Sequence, residues 1–85
     1  MAAVTIYTTT FCSYCTQAKR LLDHKGVSYV EIDVTGDTAL REKMVAESGR
    51  RTVPQIFIDG EAIGGFEELH ALERSGTLDE LLARS

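Results

Sequence analysis

The two cysteines of the chain, Cys12 and Cys15, stand three positions apart in Cys12-Ser13-Tyr14-Cys15. A disulfide between them would close a tiny loop and restrain the unfolded chain little, so stability is a poor reason for their presence. Three readings remain: a redox pair, half of a zinc site, or two inert thiols. Zinc wants about four ligands, and the other candidates, His24 and His70, match no zinc-finger spacing. A Cys-x-x-Cys beside a β-α-β pattern is the redox signature. Here the pair sits where a strand hands over to a helix. The first helical turn offers free backbone N–H groups and the positive end of the dipole. A Cys12 thiolate can accept those N–H groups, which lowers its pKa, and the thiolate is the attacking species in disulfide exchange. Cys15, one turn later, is expected to be deeper and less acidic, as suits a resolving thiol.

Four further places can serve such a pair. Tyr14 either covers apolar surface or forms a wall beside a bound thiol. Pro54, the only proline, either begins an edge strand or follows a cis bond from Val53 opposite the cysteines. In the second case an extended peptide could pair with the Val53 backbone as an added strand. Gly64-Gly65 before Phe66-Glu67-Glu68 is either a tight turn or an anion site, where N–H groups at a helix start face a carboxylate. Arg50 and Arg51, just before Thr52-Val53-Pro54, are either a solvated pair or partners for a ligand carboxylate.

The elements that must position these residues follow from pattern. Val4 and Ile6 alternate with Thr5 and Tyr7 as a strand. Residues 13–25 read as a helix with Ala18, Leu21 and Leu22 on one face, stopped by Gly26. Tyr29–Val34 alternates again, with Val30, Ile32 and Val34 together. Asp37 is a plausible cap for a helix carrying Leu40, Met44 and Val45 and ended by Gly49. Gln55–Ile58 is a strand, Asp59-Gly60 a hairpin turn, and Glu61–Ile63 the return. A helix with Phe66, Leu69 and Leu72 runs to Ser75-Gly76. Thr77 and Glu80 read as a capping box for a last helix with Leu78, Leu81 and Leu82. The order is β-α-β-α-β-β-α-α, an α/β fold with a four-stranded mixed sheet flanked by helices, its first β-α-β parallel and right-handed.

Bulk properties exclude several classes. Eighty-five residues make one domain, 1–85. The net charge of −4, without a basic block, argues against general nucleic-acid binding. Apolar runs of a few residues cannot span a membrane. Met1-Ala2-Ala3-Val4 runs straight into a strand and does not read as a secretory signal. A reducing cytoplasm is therefore the expected compartment, where a Cys-x-x-Cys is catalytic or metal-binding.

Over essentially its whole length the chain resembles the glutaredoxin family, most of all the short bacterial dithiol members. The resemblance rests on Tyr7-Thr8, Cys12-Ser13-Tyr14-Cys15, Thr52-Val53-Pro54 and Gly64-Gly65 with Glu67 and Glu68, in that order. It implies a thioredoxin-like fold, a cis Pro54, and a monomer that exchanges disulfides with glutathione as co-substrate and with client proteins. By motif, Cys12 would form the mixed disulfide and the Val53 backbone, between Thr52 and Pro54, would pair with the cysteinyl unit. Gly65, Phe66 and Glu67 would hold the γ-glutamyl end, and Arg50, with Arg51 and Tyr14 nearby, the glycyl carboxylate. Three positions depart from the family pattern: Ser13 where proline is frequent, Thr9 where lysine is, and Glu67 where aspartate is usual. A different class of reading comes from relatives with serine after the first cysteine: two chains sharing a [2Fe–2S] cluster, each giving Cys12, with glutathione giving the other thiolates.

Overall fold

The computed structural model describes residues 2–83. Strand β1 (Val4–Thr8) leads to helix α1 (Ser13–His24), β2 (Val30–Asp33), α2 (Thr38–Ser48), the hairpin β3 (Gln55–Ile58) and β4 (Glu61–Gly64), then α3 (Phe66–Ser75) and α4 (Thr77–Ala83). The strands form one sheet in the order β2-β1-β3-β4. β1 runs parallel to β2 and antiparallel to β3, and β3 antiparallel to β4. This is the expected element order and the thioredoxin-like mixed sheet.

The two central strands are buried on both faces, so their alternation sorts two apolar layers rather than core from solvent. Val4, Ile6, Ile56 and Ile58 pack with Ala18 and Leu22 of α1, Leu69 of α3, and Leu78 and Leu82 of α4. Tyr7 and Phe57 face the opposite way and pack with Val34, just past β2, and with Met44 of α2. Each fully buried Leu or Ile contributes about 1.5–3 kcal/mol relative to exposure. Lys25, just past α1, reaches Glu73 at 2.8 Å and Asp79 at 2.7 Å, tying α3 and α4 to the end of α1.

The turn chemistry is as the residues suggest. Asp59 and Gly60 both have positive φ, 53° and 80°, as a two-residue hairpin turn requires. Asp59 also clamps the turn to β1: its N–H donates to the Ala3 carbonyl at 2.7 Å, and its carboxylate accepts from the Ala3 N–H at 2.8 Å. Asp37 caps α2 by accepting from the Leu40 N–H at 3.0 Å.

Two expectations change. Val30 does not share the burial of Val34; it is 61% exposed, because β2 is the sheet edge and the layer around Met44 reaches Ile32 and Val34 but not Val30. Thr77 is the first residue of α4 rather than its cap, and its hydroxyl accepts from Ser75 at 2.8 Å. The reach-back expected of Glu80 occurs instead at α3, where the Glu68 carboxylate accepts from the Gly65 N–H at 2.7 Å.

Candidate active site

Cys12 is the N-cap of α1, in an extended conformation, and Cys15 lies in the first turn. The two are joined as a disulfide with Cα atoms 5.2 Å apart. The Cys15 N–H donates to Cys12 Sγ at 3.0 Å, and the Cys12 carbonyl accepts from the Thr16 N–H at 3.1 Å. The helix start thus presents a donor to the sulfur, as the strand-to-helix position requires. Cys15 is 1% exposed while Cys12 is only partly covered. After reduction, limited alkylation at pH 6 is therefore expected to label Cys12 first. Peptide mapping that found Cys15 labelled first would reverse the two roles.

Facing the pair is the Thr52–Pro54 segment, with a cis Val53–Pro54 peptide bond. The Val53 carbonyl lies 3.8 Å from Cys12 Sγ. Behind the segment, the buried Gln55 side chain donates to the Thr52 carbonyl at 3.0 Å and is also 3.2 Å from the Thr52 hydroxyl. Those bonds fix the loop from inside the sheet.

A cleft of about 290 Å³ opens beside this pair. Tyr14 and Phe66 form one wall, their rings stacked with centroids 6.2 Å apart, and His70 stacks in turn on Phe66 at 5.6 Å. Thr52, Val53 and Pro54 form another, and Gly65, Glu67, Glu68 and Arg50 close the polar end. Glu68 organises that end. Its carboxylate accepts from the Gly65 N–H and, at 3.0 Å, from the Arg50 guanidinium. The Gly65 N–H, and after it Arg50, hold the Glu68 carboxyl below the usual glutamate range. One bond to Glu68 leaves Arg50 further N–H donors for a ligand.

The fold thus gathers Cys12, Cys15, Tyr14, Arg50, Thr52, Val53, Pro54, Gly65, Phe66 and Glu67 around one cleft and the adjoining disulfide. It does not bring Arg51 there. Arg51 lines a different depression with Asp37 and Arg41, and its carbonyl accepts from the Arg41 guanidinium at 2.9 Å. The sequence pattern gives Gln55 no site role and names Glu68 only beside Gly64-Gly65, without a partner. Glu68 was legible in principle, because Gly65-x-x-Glu68 has the N-cap-to-N3 spacing of a capping interaction. His24 closes α1, roughly 18 Å along the helix from Cys12 at 1.5 Å per residue. Among the described residues, no three His, Cys, Asp or Glu side chains gather as metal ligands.

A thiol pair capping a helix, beside a cleft that carries one cation and a helix start, can form and break a disulfide while holding a small anionic thiol. Known proteins resemble the chain in sequence and in fold. The glutaredoxin family model matches residues 4–63. Glutaredoxin 3 of Escherichia coli is 55% identical over 82 residues, covering 96% of this chain and 99% of the relative. A glutaredoxin of Pseudomonas aeruginosa is 49% identical over 83 residues, covering 98% and 99%. The crystal structure of a buckwheat glutaredoxin–glutathione complex superposes with a TM-score of 0.87 at 31% identity, covering 95% of this chain and 76% of that one. With its cysteine pair, its fold and nearly its whole length so matched, the chain belongs to the glutaredoxin family, whose members are thiol–disulfide oxidoreductases.

Proposed function

We propose that this protein reduces protein disulfides and protein–glutathione mixed disulfides, with glutathione as the electron donor. The observation that carries this is the cleft beside Cys12. Its Arg50 guanidinium, Gly65 helix start and exposed Glu67 suit a tripeptide with two carboxylates, one ammonium and a thiol. In the proposed complex the Val53 backbone pairs with the cysteinyl unit. The start of α3 and Glu67 receive the γ-glutamyl end, and Arg50 meets the glycyl carboxylate. Tyr14 and Phe66 wall the sulfur. A monomer suffices for this chemistry, and a reducing cytoplasm supplies the glutathione.

The electron count closes. With the pair reduced, the Cys12 thiolate attacks a client disulfide, forming an enzyme–client bond and releasing one client thiolate. The Cys15 thiolate then attacks Cys12 Sγ, releasing the second. Two glutathione molecules return two electrons to the Cys12–Cys15 disulfide and leave as glutathione disulfide. For a glutathionylated client, Cys12 takes the glutathione and a second glutathione frees it.

The test is a glutathione-coupled assay on a small glutathione mixed disulfide, run with the parent and two variants. Arg50→Ala is expected to raise KM a few-fold, since a partly exposed ion pair is worth about 0.2–1 kcal/mol. Arg51→Ala is expected to leave KM unchanged, because its side chain serves another face. No turnover by the parent would dismiss glutathione as donor, and equal effects of the two variants would dismiss the placement of its carboxylate.

A further inference from the structure

Phe11, directly before Cys12, is 99% exposed. Single exposed apolar residues are ordinary, but this one is held outward by a pinned loop. On one side Thr8 ends β1, its carbonyl accepting from the Val34 N–H at 2.9 Å. Next to Phe11, the Thr10 N–H donates to the Thr35 hydroxyl at 2.9 Å and the Thr10 hydroxyl donates to Asp33 at 3.3 Å. On the other side Cys12 is fixed as the helix cap. Phe11 takes no part in the cleft that holds Arg50 and Gly65. It borders a separate depression of about 360 Å³ with Thr9, Thr10, Thr35 and Arg41.

From this placement we infer that Phe11 is a docking residue for polypeptide clients, one that takes an apolar side chain beside the client's cysteine. The inference rests on the thiol–disulfide reading of Cys12 and names the partner chemistry at that site. Exchange requires a client sulfur at Cys12 Sγ. A chain spanning about 3.3–3.6 Å per residue then carries the neighbours of that cysteine across the adjacent surface. Phe11 lines none of the cleft, so a tripeptide confined there is expected to leave the ring untouched while a longer chain meets it. The ring presents full apolar area at little ordering cost, since its backbone is already fixed. Phe11 therefore discriminates protein from small disulfides, while the cleft handles what both share.

The decisive measurement uses single turnovers of the pre-reduced protein, with no glutathione present. The substrates are dimers of a short peptide joined by one disulfide, with Leu or with Ser on both sides of the cysteine. The parent is expected to reduce the Leu peptide about tenfold faster than the Ser peptide, equivalent to about 1.4 kcal/mol. Phe11→Ser is expected to erase that preference and Phe11→Leu to keep most of it. Both variants should retain the parent rate on a small glutathione mixed disulfide and the parent melting temperature. A parent without preference, a preference that survives Phe11→Ser, or an equal slowing on the small substrate would each overturn the inference. Because the peptide series needs no glutathione, it stands apart from a failure of glutathione as donor.

Discussion

Cys15→Ser is expected to keep deglutathionylation and to lose protein-disulfide reduction by about a hundredfold or more. Under the proposed function, the two reactions part at the step after Cys12 attacks. When the bound group is glutathione, a second glutathione in solution frees the enzyme, and one thiolate suffices. When it is a protein, the bond must be opened beneath a bulky partner. Cys15 lies one helical turn from Cys12, with their Cα atoms 5.2 Å apart. It therefore converts that opening into an intramolecular step, and such proximity can be worth several orders of magnitude. Its 1% exposure keeps it from competing for substrate at the surface. Cys12→Ser should lose both activities, because the only cysteine left is the buried one. The variant Cys15→Ser should also trap client proteins as mixed disulfides, seen on a non-reducing gel. Undiminished protein-disulfide reduction by Cys15→Ser, or deglutathionylation by Cys12→Ser, would refute this division of labour.

How much of this was legible in the sequence depends on how local each cause is. The position of Cys12 follows from a strand pattern ending just before a helix pattern, and both are local. So do the Asp59-Gly60 turn and the Asp37 cap, whose conformations belong to the residues themselves. The misread features depend on partners distant in sequence. Val30 has the right residue type for a core strand, but its exposure is decided by the edge position of β2 and the path of α2. Arg50 and Arg51 are adjacent and chemically alike. Which one faces the cleft is set by the loop's route toward Pro54 and by Glu68, eighteen residues beyond Arg50. Glu67 and Glu68 pose the same problem on one helix turn: Glu67 stays exposed at the cleft while Glu68 folds back onto Gly65. Residue types thus indicated that a carboxylate and a guanidinium belong at this end of the cleft. Helix phase and loop path decided which ones.

That same corner makes Gly64→Ala the most damaging single methyl group to add to the site. Gly64 ends β4 with φ of 120°, a region that residues with a Cβ rarely adopt. Holding such a conformation costs on the order of 1–3 kcal/mol. A Cβ built there would also lie 2.7 Å from Glu68 Oε1, 2.8 Å from its Cγ and 3.0 Å from its Cβ. Rotating the Glu68 side chain clears the first two, but the Cβ contact is fixed by the backbone, so the start of α3 must give as well. Glu68 would then let go of the Gly65 N–H and of Arg50, the two groups it holds together. The expected total is a loss of about 2–4 kcal/mol, or a fall in Tm of roughly 10–25 °C for a chain of this size. Below the lowered Tm, the folded variant is expected to show a higher KM for glutathionylated substrates than the parent. Its single-turnover attack by Cys12 on an unhindered small disulfide should be unchanged, because the α1 cap lies on another element. Gly65→Ala is the control: its Cβ would meet the Pro54 carbonyl at 3.3 Å without the positive φ, so its effect on Tm should be clearly smaller. Equal melting temperatures for the two variants would show that neither the φ of Gly64 nor the contact with Glu68 penalises alanine there. A Gly64→Ala protein with parent KM would show that Glu68 does not organise the cleft.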